Sequence, residues 1–493
     1  MEEKITETRY DRIYELLASI VGSKYVSNQT PETYLYRWDF ISATTPPGRC
    51  DFAVMPRETH EVQEIVRLAN RERIPVVPAV SRVNTTGCAT PRQGGIVLDL
   101  RRMNDVLDVN EDDMYALVEG GITWGDLSKY LADHHPDLRM GYPYASPGQG
   151  VVPCCLEQGF IDTSLFMGSG ADHINGVEAV LGNGEIVTTG VAAYTRGKEW
   201  YSRYPGPDIT GLFIGWSGRM GVITKAAIKL MPKLPRCDYC VTMPTIKQGI
   251  DLELKMTKAG GPLLGLIDLA DVNFSWAVGD SMRPEDLPFK AEEKGFDDYI
   301  GKWCMSAYTE HEMEAKAKVV QDIVKEKGGK ISLWEDMVEG LPMESRGEAA
   351  LFMNLPYQGF ANWKLYFGGI SEWVGSYFPW KGIPGFYSEA RELCTKHNKH
   401  TFFSHRAMYG GHYNYARVMV EGNKDTPEDV ELVKKLCYEM DDISMKYGGV
   451  RYKAPWWVYP KLLKMMDVNA VELMRALKKV VDPNDIMNPG HGF

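Results

Sequence analysis

Between residues 51 and 101 the spacing of apolar positions changes twice, from an unbroken run to a helical period and back. Phe52-Ala53-Val54-Met55 reads as a short strand. Val62, Ile65, Val66 and Ala69 then recur at the spacing of one helix face, with Thr59 placed to cap it. Ile74 to Val80 is a second strand, interrupted only by Pro75 and Pro78, and GGIVLDL (94–100) is a third. Together they predict a compact β-α-β unit. The connection between the last two strands, SRVNTTGCATPR (81–92), is small and polar, so its backbone N–H groups can converge on a phosphate anion; an ordinary turn is the alternative. It has neither the G-x-G-x-x-G pattern nor the P-loop lysine, which sets aside a Rossmann site and a nucleotide triphosphatase.

Met114 to Glu119 alternates as a strand, turns on Gly120-Gly121 and enters a helix near Thr123, with Leu127 and Leu131 on one face. Residues 141–160 are rich in Gly and Pro and include PGQGVVPCCLEQG (147–159), a long loop whose apolar content argues against disorder. In GADHINGVEAVLGNGEIVTTG (170–190), Val177, Ala179 and Leu181 alternate with Glu178 and Val180, and Gly182-Asn183-Gly184 supplies the positive-φ positions of a tight hairpin before Ile186-Val187. Asp172-His173 stands just ahead, with Asp172 either a helix cap or a catalytic acid/base. SGRMGVITKAAIKLMPKLP (217–235) is a glycine turn and a strand ended by Pro232 and Pro235, and a domain boundary is placed there. Beyond it, amphipathic helices are predicted around 311–327 and 427–447. HTFFSHRAMYGGHYNYARVMVEG (400–422) gathers three of the ten histidines among aromatic residues, a pattern of substrate recognition or of plain packing, with recognition favoured. A closing helix runs from about Pro460 to Val480 and stops at Asp482-Pro483.

The chain has 493 residues, enough for two or three domains. With 55 basic against 66 acidic side chains the net charge is −11, and no basic run offers a nucleic-acid stripe. The N-terminal helix pattern has no apolar stretch of signal or membrane-span length, so a cytoplasmic location with no membrane span is expected. Nine thinly spread cysteines are not a secreted disulfide framework, and Cys237-x-x-Cys240 without a second pair is weak evidence for a metal; none is expected. The vicinal Cys154-Cys155 falls in the Gly/Pro loop.

The order of these pieces resembles the flavoprotein oxidoreductases of the vanillyl-alcohol oxidase and p-cresol methylhydroxylase family. The marks are the β-α-β start, the loop before PRQGGIVLDLRRMNDVLDVNEDDMYALVEGGITWGDLSKYL (91–131), the Asp172-x-x-x-Gly176-x-Glu178 strand, the run at 221–235 and the terminal VVDPNDIMNPG (480–490). The resemblance implies an α+β chain with a two-domain FAD-binding fold and an α+β cap: an N-terminal helical segment (1–45), an FAD-binding domain (46–235), a cap (236–455) and a C-terminal segment (456–493) returning to the FAD domain. It implies that Ser81, Arg82, Val83, Asn84, Thr85, Thr86 and Gly87, with Pro91, cradle the FAD pyrophosphate. Pro147, Gly148, Gln149, Gly150 and Val151, with Gly176 and Val177, would lie along the ribityl chain and ring. Gly221, Val222 and Ile223 would contact the adenine side, and Asn488 would approach the ring from the tail. Asp172 takes the place of the acid/base beside the flavin, and Tyr452-Lys453 that of a Tyr-Arg pair that binds a phenolate.

Such a pair suits the chemistry, because a hydride leaves a p-alkylphenol readily only when the phenol is ionised, and a cation and a phenol donor stabilise that anion. Lys453 replaces a planar fork by a point charge. The cap stretch EWVGSYFPW (372–380) holds Tyr377 and no histidine, so dissociable FAD is expected, with covalent attachment through Tyr377 the alternative. The leading expectation is an FAD-dependent dehydrogenase or hydroxylase acting on a benzylic carbon or alcohol of a small aromatic, possibly phenolic, substrate. It would pass electrons to an acceptor such as a cytochrome or other redox protein and assemble as a homo-oligomer. A second reading is a 2-hydroxyacid dehydrogenase of the same fold, with Arg406 clamping the carboxylate and His405 or His412 taking the hydroxyl proton. A third is a flavin subunit that only passes electrons, its pocket filled by Trp456 and Trp457.

Overall fold

The computed structural model describes residues 2–39, 45–83, 86–143, 145–260, 266–271, 297–340 and 369–492. Among these residues the strands form three sheets. The first holds β1 (Val26–Ser27), β2 (Phe52–Val54), β3 (Val76–Ala79) and β4 (Ile96–Asp99) in the order β1-β2-β4-β3, with β4 parallel to both β2 and β3. The helix Thr59–Glu72 crosses between β2 and β3, and its periodic face, Val62, Ile65, Val66 and Ala69, is buried. Burial of each larger side chain is worth roughly 2 kcal/mol. Thr59 does not cap this helix: Glu58 holds the cap position, and the Thr59 hydroxyl instead donates to Glu178 Oε1 at 2.9 Å.

The second sheet contains β5 (Val106–Asn110), β6 (Tyr115–Glu119), β7 (Leu138–Met140), β8 (Ile174–Val180), β9 (Ile186–Thr188) and β10 (Val222–Pro232), with β10 between β6 and β8. Thr123 caps the helix Trp124–His134, accepting from the Asp126 amide at 3.2 Å. The Gly/Pro stretch is not all loop, because Val151–Leu156 closes into a short helix. In the β8–β9 turn only Gly184 has positive φ; Gly182 is small for another reason, since a Cβ there would lie 2.6 Å from Asp482.

The third sheet is antiparallel. Its strands are β11 (Arg236–Met243), β12 (Leu266–Asp271), β13 (Tyr299–Ser306), β14 (Lys330–Leu333), β15 (Gly369–Phe378), β16 (Thr401–Met408), β17 (Tyr413–Asn423) and β18 (Val450–Arg451). They run in the order β14-β11-β13-β12-β16-β17-β15-β18. The two-residue period divides the sheet cleanly. Val374, Phe378, Phe403, Ala407, Ala416 and Val418 pack on a helical layer that includes Glu310–Glu326, Ile383–Lys396 and Pro427–Lys446. Trp373, Phe402, Met408, Tyr415 and Met419 form a second cluster with Tyr452, on which Phe160 packs. Cys237 and Cys240, three apart on β11, therefore project to opposite faces, which denies them a shared metal.

The closing helix breaks at Met466 into Tyr459–Met465 and Val468–Val481, where Asp467 caps the second piece. The tail then returns to the first sheet: the Val76 amide donates to the Ile486 carbonyl and the Asn488 amide to the Val76 carbonyl, each at 2.8 Å. Lys478, buried, pairs with Asp482 and donates to the carbonyls of Arg219 (2.8 Å) and Met487 (3.3 Å). Asp482 in turn accepts the amides of Ile486 (3.1 Å) and Met487 (2.8 Å). No helix among the described residues is long and apolar enough to cross a membrane. Removing one partner of a buried pair strands the other, so Lys478→Met is expected to lower the unfolding free energy by about 3 kcal/mol, read from urea unfolding; an unchanged midpoint would show that the pair does not hold the tail.

Candidate functional site

Four connections converge at the end of β3: the loop from Ser81, the segment 147–151, the turn 217–221 and the tail 486–491. Ser81 Oγ accepts the Gly150 amide at 3.2 Å, and Asn488 Nδ2 donates to the carbonyls of Cys88 (2.8 Å) and Ser217 (2.6 Å). His491 Nε2 lies 3.0 Å from the Thr90 carbonyl. A Cβ on Gly150 would stand 3.0 Å from Val80 Cγ1 and 2.8 Å from Pro153 Cγ, so glycine leaves room for these two side chains at the crossing. Arg82, Ser217 and Asn488 all sit in the left-handed region, a cost of order 1–3 kcal/mol each that gathers where a ligand is held. Gln149 Oε1 and Asn488 Oδ1 are buried with no hydrogen-bond partner among the described residues. Two unmatched acceptors and a floor of hydrogen-bonded loops fit the FAD expected here.

The other residues expected to hold FAD are placed as follows. The Arg82 guanidinium lies 4.3 Å over the Tyr36 ring and bonds the Leu35 carbonyl, so it contributes backbone to the loop and its side chain to the N-terminal segment. Val83 and Gly87 lie in the loop and Thr86 contacts Cys88 Sγ at 3.0 Å; Asn84 and Thr85 lie outside the described residues. The Pro91 carbonyl accepts the Arg49 amide, and the Pro147 carbonyl accepts the Gly125 amide across from exposed Gly148. Val151 begins its helix. Gly176 and Val177 are inside β8, where Val177 belongs to the core; Gly221, Val222 and Ile223 lead into β10, with Val222 and Ile223 paired to Val180 and Ala179.

Asp172 is half-buried in the single turn Gly170–His173, and its Oδ2 accepts from the Ser169 amide (2.8 Å) and hydroxyl (3.1 Å). Its charge acts on Tyr377 and Tyr413 of the third sheet. There an aromatic wall stands: Tyr452 meets Tyr415 edge-on at 4.9 Å, Tyr377 at 5.3 Å and Trp373 at 5.7 Å, and Phe160 lies 4.1 Å from Tyr415. Burial first, then the neighbouring phenols Tyr415 and Tyr377, push Tyr452 well above the ordinary tyrosine range, so it is a donor at neutral pH. Lys453 has a left-handed backbone (φ 46°), and its ammonium lies 5.6 Å from the Tyr452 ring without an ion pair among the described residues. It also acts on Glu157, whose carboxyl burial raises and Lys453 pulls back. Cys154 and Cys155 are buried thiols held protonated by burial.

Arg406 is buried on the wall side of β16, its guanidinium 5.0 Å over Phe160 and bonded to the Ile161 carbonyl at 3.2 Å. No histidine joins it. His405, one residue away, faces the helical layer, with Nδ1 2.8 Å from Glu253 and Nε2 3.1 Å from Asn414 Oδ1, and His412 is exposed on the turn beside Tyr409. Strand alternation thus undoes the expected Arg–His clamp. Trp456 and Trp457 do not fill the wall either: Trp456 lies 3.5 Å beneath the Arg92 guanidinium and Trp457 stacks near Tyr438. Sequence reasoning missed Phe160, Trp373, Ser169 and Arg417, whose guanidinium lies 5.9 Å over the Phe160 ring and whose Nε donates to Ser404 Oγ at 2.7 Å. The alternation of Tyr413, Tyr415, Arg417 and Met419 was the available signal for the wall; Phe160 had none.

Residues 50–190 match the FAD binding domain family, and residues 312–491 match the C-terminal domain of FAD linked oxidases. The chain is 23% identical to the 4-cresol dehydrogenase [hydroxylating] flavoprotein subunit of Pseudomonas putida, over 99% of this chain and 96% of that one. It is also 23% identical to a probable mitochondrial D-lactate dehydrogenase of Danio rerio, over 97% and 91%. Its fold matches the solved structure of 4-ethylphenol oxidase from Gulosibacter chungangensis in complex with isoeugenol, with a TM-score of 0.87 at 20% identity, covering 98% of this chain and 97% of that one.

The tail carries a pH dependence. Burial pulls His491 down to about 4 and His173 to about 3, so both are neutral when folded and take up a proton near pH 6.5 when unfolded. At these two sites the unfolded state binds more protons below pH 6.5, so their contribution to stability falls as pH drops from 6.5 towards 4, while Asp39, which burial raises to about 7, acts in the opposite sense. His491→Gln, which keeps a donor for Thr90 but cannot titrate, should make the decline in melting temperature between pH 7 and 5 shallower than in the wild type; an unaltered slope would contradict this.

Proposed function

We propose, for a chain that belongs to the vanillyl-alcohol oxidase and p-cresol methylhydroxylase family of FAD-linked oxidoreductases, that this enzyme oxidises a benzylic carbon or alcohol of a small aromatic, phenol-type substrate. The observation that carries the reading is the aromatic wall of Tyr377, Tyr415, Tyr452, Trp373 and Phe160 facing Asp172. A flat ring gains from such a surface both apolar burial and edge-to-face contacts. Bound FAD supplies the two-electron acceptor. The amides of the loop from Ser81, with Gln149, Gly150 and Asn488, hold it. Tyr452 donates a hydrogen bond to the substrate oxygen and Lys453 supplies the countercharge that keeps that oxygen ionised as positive charge develops on the benzylic carbon. Asp172 takes the proton from the water that adds to this carbon, or from the hydroxyl of an alcohol substrate. The electrons pass on to an acceptor, a cytochrome or other redox protein, and FAD is dissociable rather than attached through Tyr377. Relatives named for 4-cresol and 4-ethylphenol support a phenolic substrate.

The second reading, a 2-hydroxy acid held by Arg406, is favoured by that residue's burial beside Phe160 and by the relative named for D-lactate. It has no histidine to take the hydroxyl proton, and Asp172 would have to serve.

Asp172→Asn should retain FAD and slow flavin reduction by a phenolic substrate by about two orders of magnitude, the usual weight of a positioned acid/base; wild-type reduction would remove Asp172 from the mechanism. Lys453→Met should weaken substrate binding by about 1.5–3 kcal/mol, the scale of a charge-assisted hydrogen bond, and Arg406→Met by less. Titration of the anaerobic enzyme checks the ranking. A dominant Arg406 with a nearly silent Lys453 would favour the hydroxy acid.

A further inference from the structure

We propose that Asp39 sets how tightly this chain holds FAD: its buried carboxylate stands behind the loop from Ser81 and opposes the negative charge of the pyrophosphate, so that FAD binds with uptake of a proton. This rests on the reading of that loop as the pyrophosphate cradle. The N-terminal segment backs the loop from one end to the other. The Arg82 guanidinium lies 4.3 Å over the Tyr36 ring and bonds the Leu35 carbonyl, and the Arg49 amide donates to the Pro91 carbonyl at 3.0 Å. Between them, a Cβ on Gly87 would stand 3.1 Å from Thr45. Asp39 comes from the same segment, is only 6% exposed, and its Oδ2 accepts the Ala89 amide at 3.2 Å. Its Oδ1 is buried with no hydrogen-bond partner among the described residues.

A carboxylate with one hydrogen bond and almost no water is in surroundings that disfavour its charged form. Burial raises Asp39 to about 7, and the Ala89 amide and the Arg82 charge offset only part of that. Ala89 is two residues from Gly87, so an anion held on the Gly87 amide lies within roughly 14 Å of the carboxylate even if the chain between them is fully extended. At about 10 Å, in surroundings of intermediate dielectric, one unit charge changes the binding of another about tenfold. The pyrophosphate and an ionised Asp39 therefore disfavour each other, and a proton on Asp39 relieves the conflict. FAD is held tightest below pH 7 and more weakly above it. Around the loop, the Cys88 and Cys50 thiols and the Tyr36 phenol are pushed up to about 12 and His491 is pulled down to about 4, so none of them titrates between pH 6 and 9. Arg82 contributes a fixed positive charge. Glu157, raised by burial and bonded to the Ser217 amide at 2.8 Å, is the same in wild type and in an Asp39 variant, so their difference isolates Asp39.

The test dilutes the FAD-loaded protein at pH 6 and at pH 9 and reads the released FAD by its fluorescence, with riboflavin-loaded protein as the control that lacks pyrophosphate. The wild-type Kd for FAD should rise about tenfold from pH 6 to pH 9. Asp39→Asn can still accept the Ala89 amide but carries no charge. It should match wild type at pH 6 and hold FAD about tenfold more tightly than wild type at pH 9. In weakly buffered wild-type solution at pH 7.5, a pH indicator should report about half a proton released per FAD dissociated, and none per riboflavin. A carboxylate that only props the loop would make Asp39→Asn weaker at both pH values. That result, a wild-type Kd equal at pH 6 and pH 9, a pH slope that the variant shares, or a flavin that does not dissociate would each overturn the proposal. Should Asp39→Asn fail to fold, the wild-type proton count decides alone: release with FAD only supports the proposal, and no release, or equal release with riboflavin, overturns it. A preference for FAD over riboflavin that is constant with pH would sink this inference only; equal affinity for the two would sink the reading of the loop as a pyrophosphate cradle with it.

Discussion

The buried pair of Lys478 and Asp482 fixes where the chain ends, and the cofactor half of the site depends on that end. Two charges taken out of water recover their solvation only if every remaining donor and acceptor is used. Here Lys478 donates to the carbonyls of Arg219 and Met487 while Asp482 receives the amides of Ile486 and Met487. The pair thereby sets the register of the tail rather than serving as generic adhesive. From that register Asn488 reaches both Cys88 and Ser217, tying two loops separated by more than a hundred residues, and His491 reaches Thr90.

The other half depends on the pleat of the third sheet. Along β16 the residues alternate between the wall side, with Arg406, and the helical side, with Phe403, His405 and Ala407. On the helical side the polar groups are consumed internally: Trp303 donates to Tyr299, Tyr299 to Glu253, and His405 lies between Glu253 and Asn414. On the wall side the phenols of Tyr377, Tyr415 and Tyr452 crowd one another in a desolvated cluster, so they stay protonated and can donate. Asp172 arrives from the turn before β8 in the second sheet, close enough for its charge to act on Tyr377 and Tyr413 of the third.

The β-α-β start, the β8–β9 hairpin and the helix after Thr123 were legible because each follows from local periodicity and turn chemistry. The helices at Glu310–Glu326 and Pro427–Lys446 were read within a residue of their ends for the same reason. Thr59 and Gly182 were misread because their residue types answer to distant partners, Glu178 and Asp482, that no local window contains. The closing helix was read as continuous because Leu463, Met466, Val471 and Met474 keep a helical rhythm across a break that the Asp467 cap decides. Of the candidate site, Asp172 and Tyr452 were named through family resemblance, and His405 and His412 were misplaced because clustering in sequence says nothing about which face of a strand or turn each takes. Phe160 and Ser169 acquire their meaning only in three dimensions.

The proposal at the centre is that the wall and Asp172 position a phenol-type substrate for oxidation by bound FAD. Anaerobic mixing of the FAD-loaded enzyme with 4-ethylphenol, and separately with D-lactate, tests it most directly, followed by the flavin absorbance near 450 nm. The account predicts bleaching by the phenol and none by the hydroxy acid at equal concentration. Bleaching by D-lactate with no response to the phenol would contradict it.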